Sequence, residues 1–401
     1  MFKNINCKNL PSLRRNIVYQ FLYELLIVFI PLFTIPYVSR VLGAENIGLF
    51  SYTYAVANYF VLFANLGIKN YGSRTIAMVR NNKEELNRNF SEILSIHIIF
   101  SIIVIFVYLV LLFFFVEDNL VIFLIQSIYV FAAVFDINWF FFGIEKFKLT
   151  VGRNTLVKIL SVFLVLVFVK TQTDLWIYAL ILALSVFVGQ SVVWFALKQY
   201  VSWRRPSWAN MKQHIRPLFV LFLPILALSL YKYMDKIMLG SISSNVQVGF
   251  YENAEKIINV PMSLIMAFGV VLMPRIANMV TSKDKGEVFK LIDMSMEAVM
   301  LLAIAISFGL AGISFVLAPI FFGYEFEECG ILIMGLAVTV PFMAFANVIR
   351  TQYLIPYKED KIFVVSLFLG AAVNLIVNII LIPYMACLLY TSPSPRDRTR
   401  S

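Results

Sequence analysis

Long apolar runs separated by short polar loops form the dominant pattern of this chain. Each run is about 20 residues long and continuous rather than alternating, which is typical of membrane-spanning helices and excludes the strands of a membrane barrel. We predict eleven spans, at residues 17–38, 47–68, 93–116, 119–142, 155–170, 174–197, 217–240, 246–272, 292–317, 329–350 and 362–383. The predicted fold class is therefore an all-α polytopic membrane protein.

Composition supports this class and excludes a soluble enzyme or nucleic-acid-binding domain. Hydrophobic residues make up 61% of the chain and charged residues 14%, and the mean hydropathy is +0.84. Soluble domains carry about 25% charged residues. The net charge of +10 comes mainly from loops on one side of the predicted membrane, whereas the other side has only Arg40 and Lys170. The positive-inside rule then predicts a cytoplasmic N-terminus, and no nucleic-acid partner is expected.

Motifs for other chemistry are absent from the sequence. The three cysteines, Cys7, Cys329 and Cys387, are too scattered for a disulfide framework or a metal site. The chain contains no P-loop motif and no nucleophile elbow. His97 lies early in an apolar span, where we expect a hydrogen-bonded structural histidine, with a proton relay as the alternative. The sequence thus predicts no metal site and no cofactor.

Two short similarities indicate an internal repeat. "GLFSYTYA" begins at Gly48 and "GFYENAEK" at Gly249, and Arg74 and Arg275 are separated by the same 201 residues. Six spans lie between corresponding positions, so both halves enter the membrane in the same direction, as in transporters built from parallel repeats. We predict an N-terminal six-helix bundle over residues 1–198 and a cytoplasmic linker over 199–216. A C-terminal bundle of about five helices would follow over 217–386.

The stretch "YKYMDKIMLG" places Lys232, Asp235 and Lys236 inside a predicted span. Each charge at a helix centre costs about 2.5–3.5 kcal/mol on insertion scales, so such groups face protein or water rather than lipid. Further charged residues within predicted spans are Glu24, Asp136, Lys158, Glu252, Glu255, Lys256, Glu297 and Arg350. Static ion pairing is one interpretation, and Glu252 and Lys256 have the spacing of a local helical pair. A shared polar cavity is the other.

Three stretches carry a resemblance to a known family. They are "IPYVSRVLGAENIGLFSYTYAVANYFVLFANLGIKNYGSRTIA" from Ile35, "WFFFGIEKFK" from Trp139 and "YMDKIMLG…VGFYENAEKI" from Tyr233. Together they resemble the bacterial polysaccharide-transporter or O-antigen flippase family, within the multidrug/oligosaccharidyl-lipid/polysaccharide exporter superfamily. The similarity covers most of residues 10–386. It implies a MATE-like fold of two parallel-related six-helix bundles around a polar cavity, with the last helix or helices missing here.

The resemblance also implies a function. It implies movement of undecaprenyl-pyrophosphate-linked oligosaccharides across the bacterial inner membrane for surface polysaccharides such as O-antigen, lipopolysaccharide and capsule. Expected partners are that cargo, membrane lipids and other polysaccharide assembly proteins. Candidate cargo-binding cations are Lys158, Lys232, Lys236 and Arg350, because a pyrophosphate needs cationic groups away from bulk water. Candidate coupling or ion-pair residues are Glu24, Asp235, Glu252, Glu255 and Lys256.

Two rival functions differ in what they require. A cation-coupled multidrug exporter would use the same fold. A membrane enzyme that polymerises or ligates lipid-linked glycans would need a large external loop, and every predicted external loop is short. We therefore expect a transporter and not an enzyme.

The composition changes from about Cys387, and residues 387–401 are interpreted as a non-native tail after a truncated gene.

Overall fold

The computed structural model describes residues 10–281 and 285–389, and every secondary-structure element among them is helical. The first seven α-helices are α1 Leu10–Asn65, α2 Ile68–Val79, α3 Lys83–Phe115, α4 Leu120–Val134, α5 Asn138–Gly143, α6 Phe147–Phe168 and α7 Leu175–Leu197. The remaining six are α8 Trp208–Ile242, α9 Asn245–Thr281, α10 Lys285–Phe322, α11 Cys329–Ala337, α12 Thr339–Val348 and α13 Asp360–Leu389. Short 3-10 turns occupy Gln172–Asp174 and Tyr324–Phe326, and a π-helical turn occupies Ile349–Leu354. The all-α prediction is confirmed.

Nine segments of the described residues are long and apolar enough to cross a membrane, against eleven predicted spans. The first predicted span and most of the second lie on α1, whose helical path is interrupted at Gly43, where φ is +77°. A positive φ is a conformation that glycine adopts without steric penalty. The eighth predicted span lies on α9 and is not among the nine, because Glu252, Glu255 and Lys256 lower its apolar character. The chain is a multi-pass membrane protein.

The structure divides into two compact units. Unit 1 contains α1 up to Ile35 and the residues Thr53–Leu226. Unit 2 contains Pro36–Tyr52 of α1 together with the described chain from Ala227 onward. The predicted domain limits stay predictions. The part of the predicted linker from Trp208 onward is helical and opens α8.

The core of unit 1 is built around the aromatic run that follows α4. Trp139, Phe140 and Phe141 are buried, and the Phe90 ring stacks on Trp139 with centroids 5.6 Å apart. Gly72 on α2 lies against the Trp139 ring, with no room for a side chain. Because aromatic side chains bury large apolar areas, this run fixes α2, α3 and α5 together. The "WFFFG" stretch is therefore explained by packing.

The core of unit 2 joins α9, α10, α11 and α12. Ile258 and Ile265 on α9 pack with Val299 and Ala303 on α10, and all four are buried. The α1 segment of this unit adds a polar contact, because the buried Asn253 Nδ2 donates to Ser39 Oγ at 2.9 Å. Small residues along these helices let the backbones approach closely, as is usual in membrane bundles.

The proposed non-native tail falls largely outside the described residues. Helix α13 continues to Leu389, and the part of the tail from residue 390 onward is not described.

Candidate functional site

A cluster of four charged side chains on α8 and α9 forms the candidate site of unit 2. Lys236 Nζ lies 2.6 Å from Glu252 Oε2 and 2.8 Å from Glu255 Oε2. Lys256 Nζ lies 3.1 Å from Glu252 Oε1, one helical turn along α9. Lys236 is only 8% exposed, so its charge is balanced by protein groups rather than by water. We call Lys236, Glu252, Glu255 and Lys256 the charge cluster.

The charge cluster has a net charge of zero, since two lysines face two glutamates. The predicted local pair between Glu252 and Lys256 is confirmed. The lysine at Lys236 has both of its carboxylate partners on the neighbouring helix. A cation held in this way is available to a ligand only when it exchanges one of those partners.

Asp235, beside the charge cluster, links three helices. One carboxylate oxygen, Oδ2, accepts from Tyr251 Oη on α9 at 2.7 Å, and Oδ1 accepts from Asn378 Nδ2 on α13 at 2.6 Å. Asn378 Nδ2 also lies 3.3 Å from Asn374 Oδ1. Hydrogen bonds to a carboxylate are stronger than those between neutral groups, so Asp235 positions α8, α9 and α13.

Lys232 and Arg350 are the predicted cargo-binding cations of unit 2 that lie outside this cluster. Both are exposed, and neither forms an ion pair within the described part of the chain. Lys232 Nζ lies 5.3 Å from the centroid of the Tyr233 ring, and the Arg350 guanidinium lies 5.1 Å from that of Phe363. Such cation–π contacts contribute about 0.5–1 kcal/mol at exposed sites, which leaves the charges open to a stronger anion.

The structure does not bring Arg350 to the charge cluster. Arg350 contacts Phe363 near the start of α13, whereas Asp235 contacts Asn378 much later in the same helix. These two positions are roughly 22 Å apart at a helical rise of about 1.5 Å per residue. The candidate cations of unit 2 therefore form two separate positions rather than one.

The remaining predicted residues lie in unit 1. Lys158 is an exposed residue of α6. Glu24 lies on α1, in the stretch whose side chains are outside the described set. Of the nine predicted site residues, the structure brings together Asp235, Lys236, Glu252, Glu255 and Lys256.

Sequence reasoning missed a buried network in unit 1. Glu92 on α3 accepts from Asn210 Nδ2 at 3.1 Å and lies 3.0 Å from His214 Nε2. The other ring nitrogen of His214 lies 2.6 Å from Tyr71 Oη on α2. Glu92 stands just before a predicted span and His214 in a predicted loop, so each looked like a solvated group. The only sequence feature that could have indicated this network is the turn of polar residues immediately before the apolar run.

Among the described residues, no three or more histidine, cysteine, aspartate or glutamate side chains come together as a metal site would require. The polar groups of unit 2 are instead ammonium, guanidinium, carboxylate and amide groups within apolar helices. This set can bind an anion through its cations and can exchange ion pairs when helices move. It includes no activated nucleophile.

Comparison with known proteins places these features in a family. Residues 13–280 match the model of the polysaccharide biosynthesis protein family. A protein of Shigella dysenteriae described as a candidate O-antigen transporter is 24% identical over 387 residues, covering 93% of each chain.

Two solved structures share the fold. The lipid II flippase MurJ, in an inward closed conformation, is similar with a TM-score of 0.70 and 14% identity, over 93% of this chain and 85% of that one. An inward-facing MATE-family multidrug resistance transporter is similar with a TM-score of 0.54 and 13% identity, over 93% and 99%. These neighbours confirm the predicted MATE-like fold. None of the three proteins is named as an enzyme, in agreement with the expected absence of enzymatic activity. With more than half of its length matched by the family model, the chain belongs to the polysaccharide biosynthesis protein family of multi-pass membrane proteins.

Proposed function

We propose that this protein is a flippase that moves lipid-linked oligosaccharides from the cytoplasmic to the outer leaflet of the bacterial inner membrane. The carrier lipid would be undecaprenyl pyrophosphate, and the product would serve surface polysaccharide synthesis. Family membership, the O-antigen transporter relative and the MurJ-like fold support this assignment. The N-terminus would lie in the cytoplasm, as the distribution of lysine and arginine favours.

The observation that carries the proposal is the set of charged residues within the apolar helices of unit 2. Lys232 and Arg350 are exposed cations without a carboxylate partner among the described residues, while Lys236 is held by Glu252 and Glu255. Ionisable groups inside membrane helices mark substrate or ion pathways. A pyrophosphate headgroup with acidic sugars would need such cations in order to leave the aqueous phase.

Each group has a distinct role in this proposal. Lys232 and Arg350 would contact the anionic headgroup first, since no ion pair must break. Lys236 would join when Glu252 keeps only its pair with Lys256 and Glu255 moves away from Lys236. Alternating access would change these partners between inward and outward states. Lys158 and Glu24 stay candidates for cargo binding and coupling in unit 1.

Deletion of the gene in its host tests the function. Lipid-linked oligosaccharide is quantified on each face of the inner membrane, together with surface polysaccharide. We expect cytoplasmic-face accumulation and loss of surface polysaccharide, with both restored by the wild-type gene. Unchanged glycan lipids combined with altered drug sensitivity would instead favour the multidrug exporter, whose fold is also shared.

A further inference from the structure

His97 on α3 is a buried histidine without a hydrogen bond. Its side chain has no exposed surface, and neither ring nitrogen has a partner among the described residues. Ser101, one helical turn later, is also fully buried, and its hydroxyl has no partner in the same part of the chain. The expectation of a hydrogen-bonded structural histidine was wrong. An unsatisfied buried polar group costs about 1–3 kcal/mol, so this pair needs a reason to persist.

The register of α3 and α4 places His97 near a carboxylate. The two helices are joined by a short loop and pack together, so they run antiparallel. Tyr108 Oη donates to the Phe123 carbonyl at 3.0 Å, which fixes which residues lie at the same level. In an antiparallel pair, the part of α3 that precedes Tyr108 faces the part of α4 that follows Phe123. By this register His97 lies at the level of Val134, two residues before Asp136. The Asp136 carboxylate, just past the end of α4, therefore lies close to the level of the His97 ring.

Asp136 has one oxygen in use and one free. Its Oδ1 atom accepts from the Asn138 backbone N–H at 3.0 Å and from Asn138 Nδ2 at 2.7 Å. Asn138 is itself held by Gln190 at 2.8 Å and by Arg153 NH2 at 3.1 Å. The other oxygen, Oδ2, has no hydrogen-bond partner in the described part of unit 1. Asp136 is partly exposed, whereas the His97 side chain has no exposed surface.

Few other charges surround the ring. Helices α4, α5 and α7 contain no charged residue. On α2, Lys69 and Arg74 are exposed, and the nearest buried acid on α3 is Glu92, which pairs with His214. Arg153 on α6 donates to the amide oxygen of Asn138, whose amide nitrogen donates to Asp136. Asp136 is therefore the charge that would stabilise a protonated His97.

We infer that His97 and Asp136 form a proton-binding site within unit 1, with the buried Ser101 hydroxyl one helical turn from the ring. A proton adds to the lone pair of the unprotonated ring nitrogen of His97. The resulting buried imidazolium would be balanced by the partly exposed Asp136 carboxylate. No covalent bond breaks, and unit 1 gains one positive charge. Resting on the proposed function, this site would couple movement of the cargo to proton uptake.

Nuclear magnetic resonance of the imidazole nitrogens tests the site without any transport assay. The chain has two histidines, so a full-length protein with a histidine-free tag, labelled with ¹⁵N-histidine and placed in lipid nanodiscs, gives two sets of signals. The substitution H214Q assigns them. We expect the His97 nitrogen signals to move as the pH is lowered, which would mark uptake of a proton by the ring.

Two matched substitutions test the role of the carboxylate. D136N should lower the ratio of protonated to neutral His97 about tenfold or more at a given pH, because a neighbouring opposite charge favours the charged form. D118N neutralises an exposed aspartate at the other end of the α3–α4 pair and should leave the ratio unchanged. Both variants keep His97, so its protonation can still be measured if the H97Q variant does not fold.

The outcomes separate this inference from the proposed function. A His97 ring that stays neutral throughout, with nitrogen shifts typical of a water-bonded imidazole, overturns the site and leaves a buried histidine with a bridging water. An equal response to D136N and D118N overturns it as well. Normal titration in a protein whose deletion leaves glycan lipids unchanged would instead keep the site and reject the flippase. In a functional flippase, H97Q should flatten the pH dependence of export.

Discussion

Gly48 on α1 and Gly249 on α9 meet backbone to backbone. A Cβ atom on Gly48 would lie 2.8 Å from the Gly249 nitrogen, and one on Gly249 would lie 3.2 Å from the Gly48 nitrogen. These are the two glycines that begin the repeated stretches "GLFSYTYA" and "GFYENAEK". The repeat therefore has a packing reason at this position, because both copies need a residue without a side chain.

This contact predicts the effect of adding a methyl group. Gly48→Ala should reduce stability by about 1–3 kcal/mol or more, since overpacking against backbone atoms cannot be relieved by a side-chain rotation. Gly309→Ala is the matched control in α10, where a Cβ meets nothing within 4 Å. The apparent unfolding temperature in detergent should fall for the first variant and hold or rise for the second. Equal unfolding temperatures would contradict the close crossing.

Removing the buried lysine of the charge cluster should destabilise the protein. Lys236→Met leaves Glu252 and Glu255 with one lysine between them, and removing one partner of a buried ion pair costs about 3–5 kcal/mol. The double variant Lys236→Met, Glu255→Gln restores a neutral pair of Glu252 and Lys256 and should recover most of the loss. Thermal unfolding of both variants measures this coupling. A single variant as stable as wild type would show that the cluster is open to water.

Loss of an exposed cation should affect transport without affecting stability. Lys232→Ala and Arg350→Ala remove no ion pair among the described residues, but each would remove a charged hydrogen bond to the cargo, contributing about 1.5–3 kcal/mol. Export should fall roughly tenfold or more, at unchanged protein level and unfolding temperature. The control is Lys290→Ala, an exposed lysine of α10 in the same unit. Full export by both variants would remove these cations from the proposed binding site.

The buried network around Glu92 should contribute more to stability than a surface ion pair on the same helix. Glu92→Ala leaves Asn210 and His214 without their buried acceptor, at a cost of about 1–3 kcal/mol. Glu84→Ala removes an exposed pair with Arg204 at 3.3 Å, and such pairs contribute about 0–1 kcal/mol. Unfolding in increasing denaturant compares the two variants. A larger loss for Glu84→Ala would reverse the expected order.

Local features of the site followed from the sequence, and contacts between helices did not. The Glu252–Lys256 pair was predictable because residues four apart on one helix are neighbours whatever surrounds them. The two contacts of Lys236 were not, because they depend on how α8 and α9 are rotated about their own axes. The roughly 22 Å between the regions of Arg350 and Asp235 likewise appears only when α13 is seen to contact both.

The sequence by itself determined that this is a helical multi-pass membrane protein, because lipid cannot satisfy backbone polar groups and long apolar runs then have to be helical. It also marked the charged residues, whose placement in apolar runs is a local property. Only the tertiary structure decided which charged groups have partners: Lys236 has Glu252 and Glu255, and Glu92 has Asn210 and His214. Charge neutralisation depends on distances of a few ångströms between segments far apart in the chain, and hydropathy carries no information about those distances.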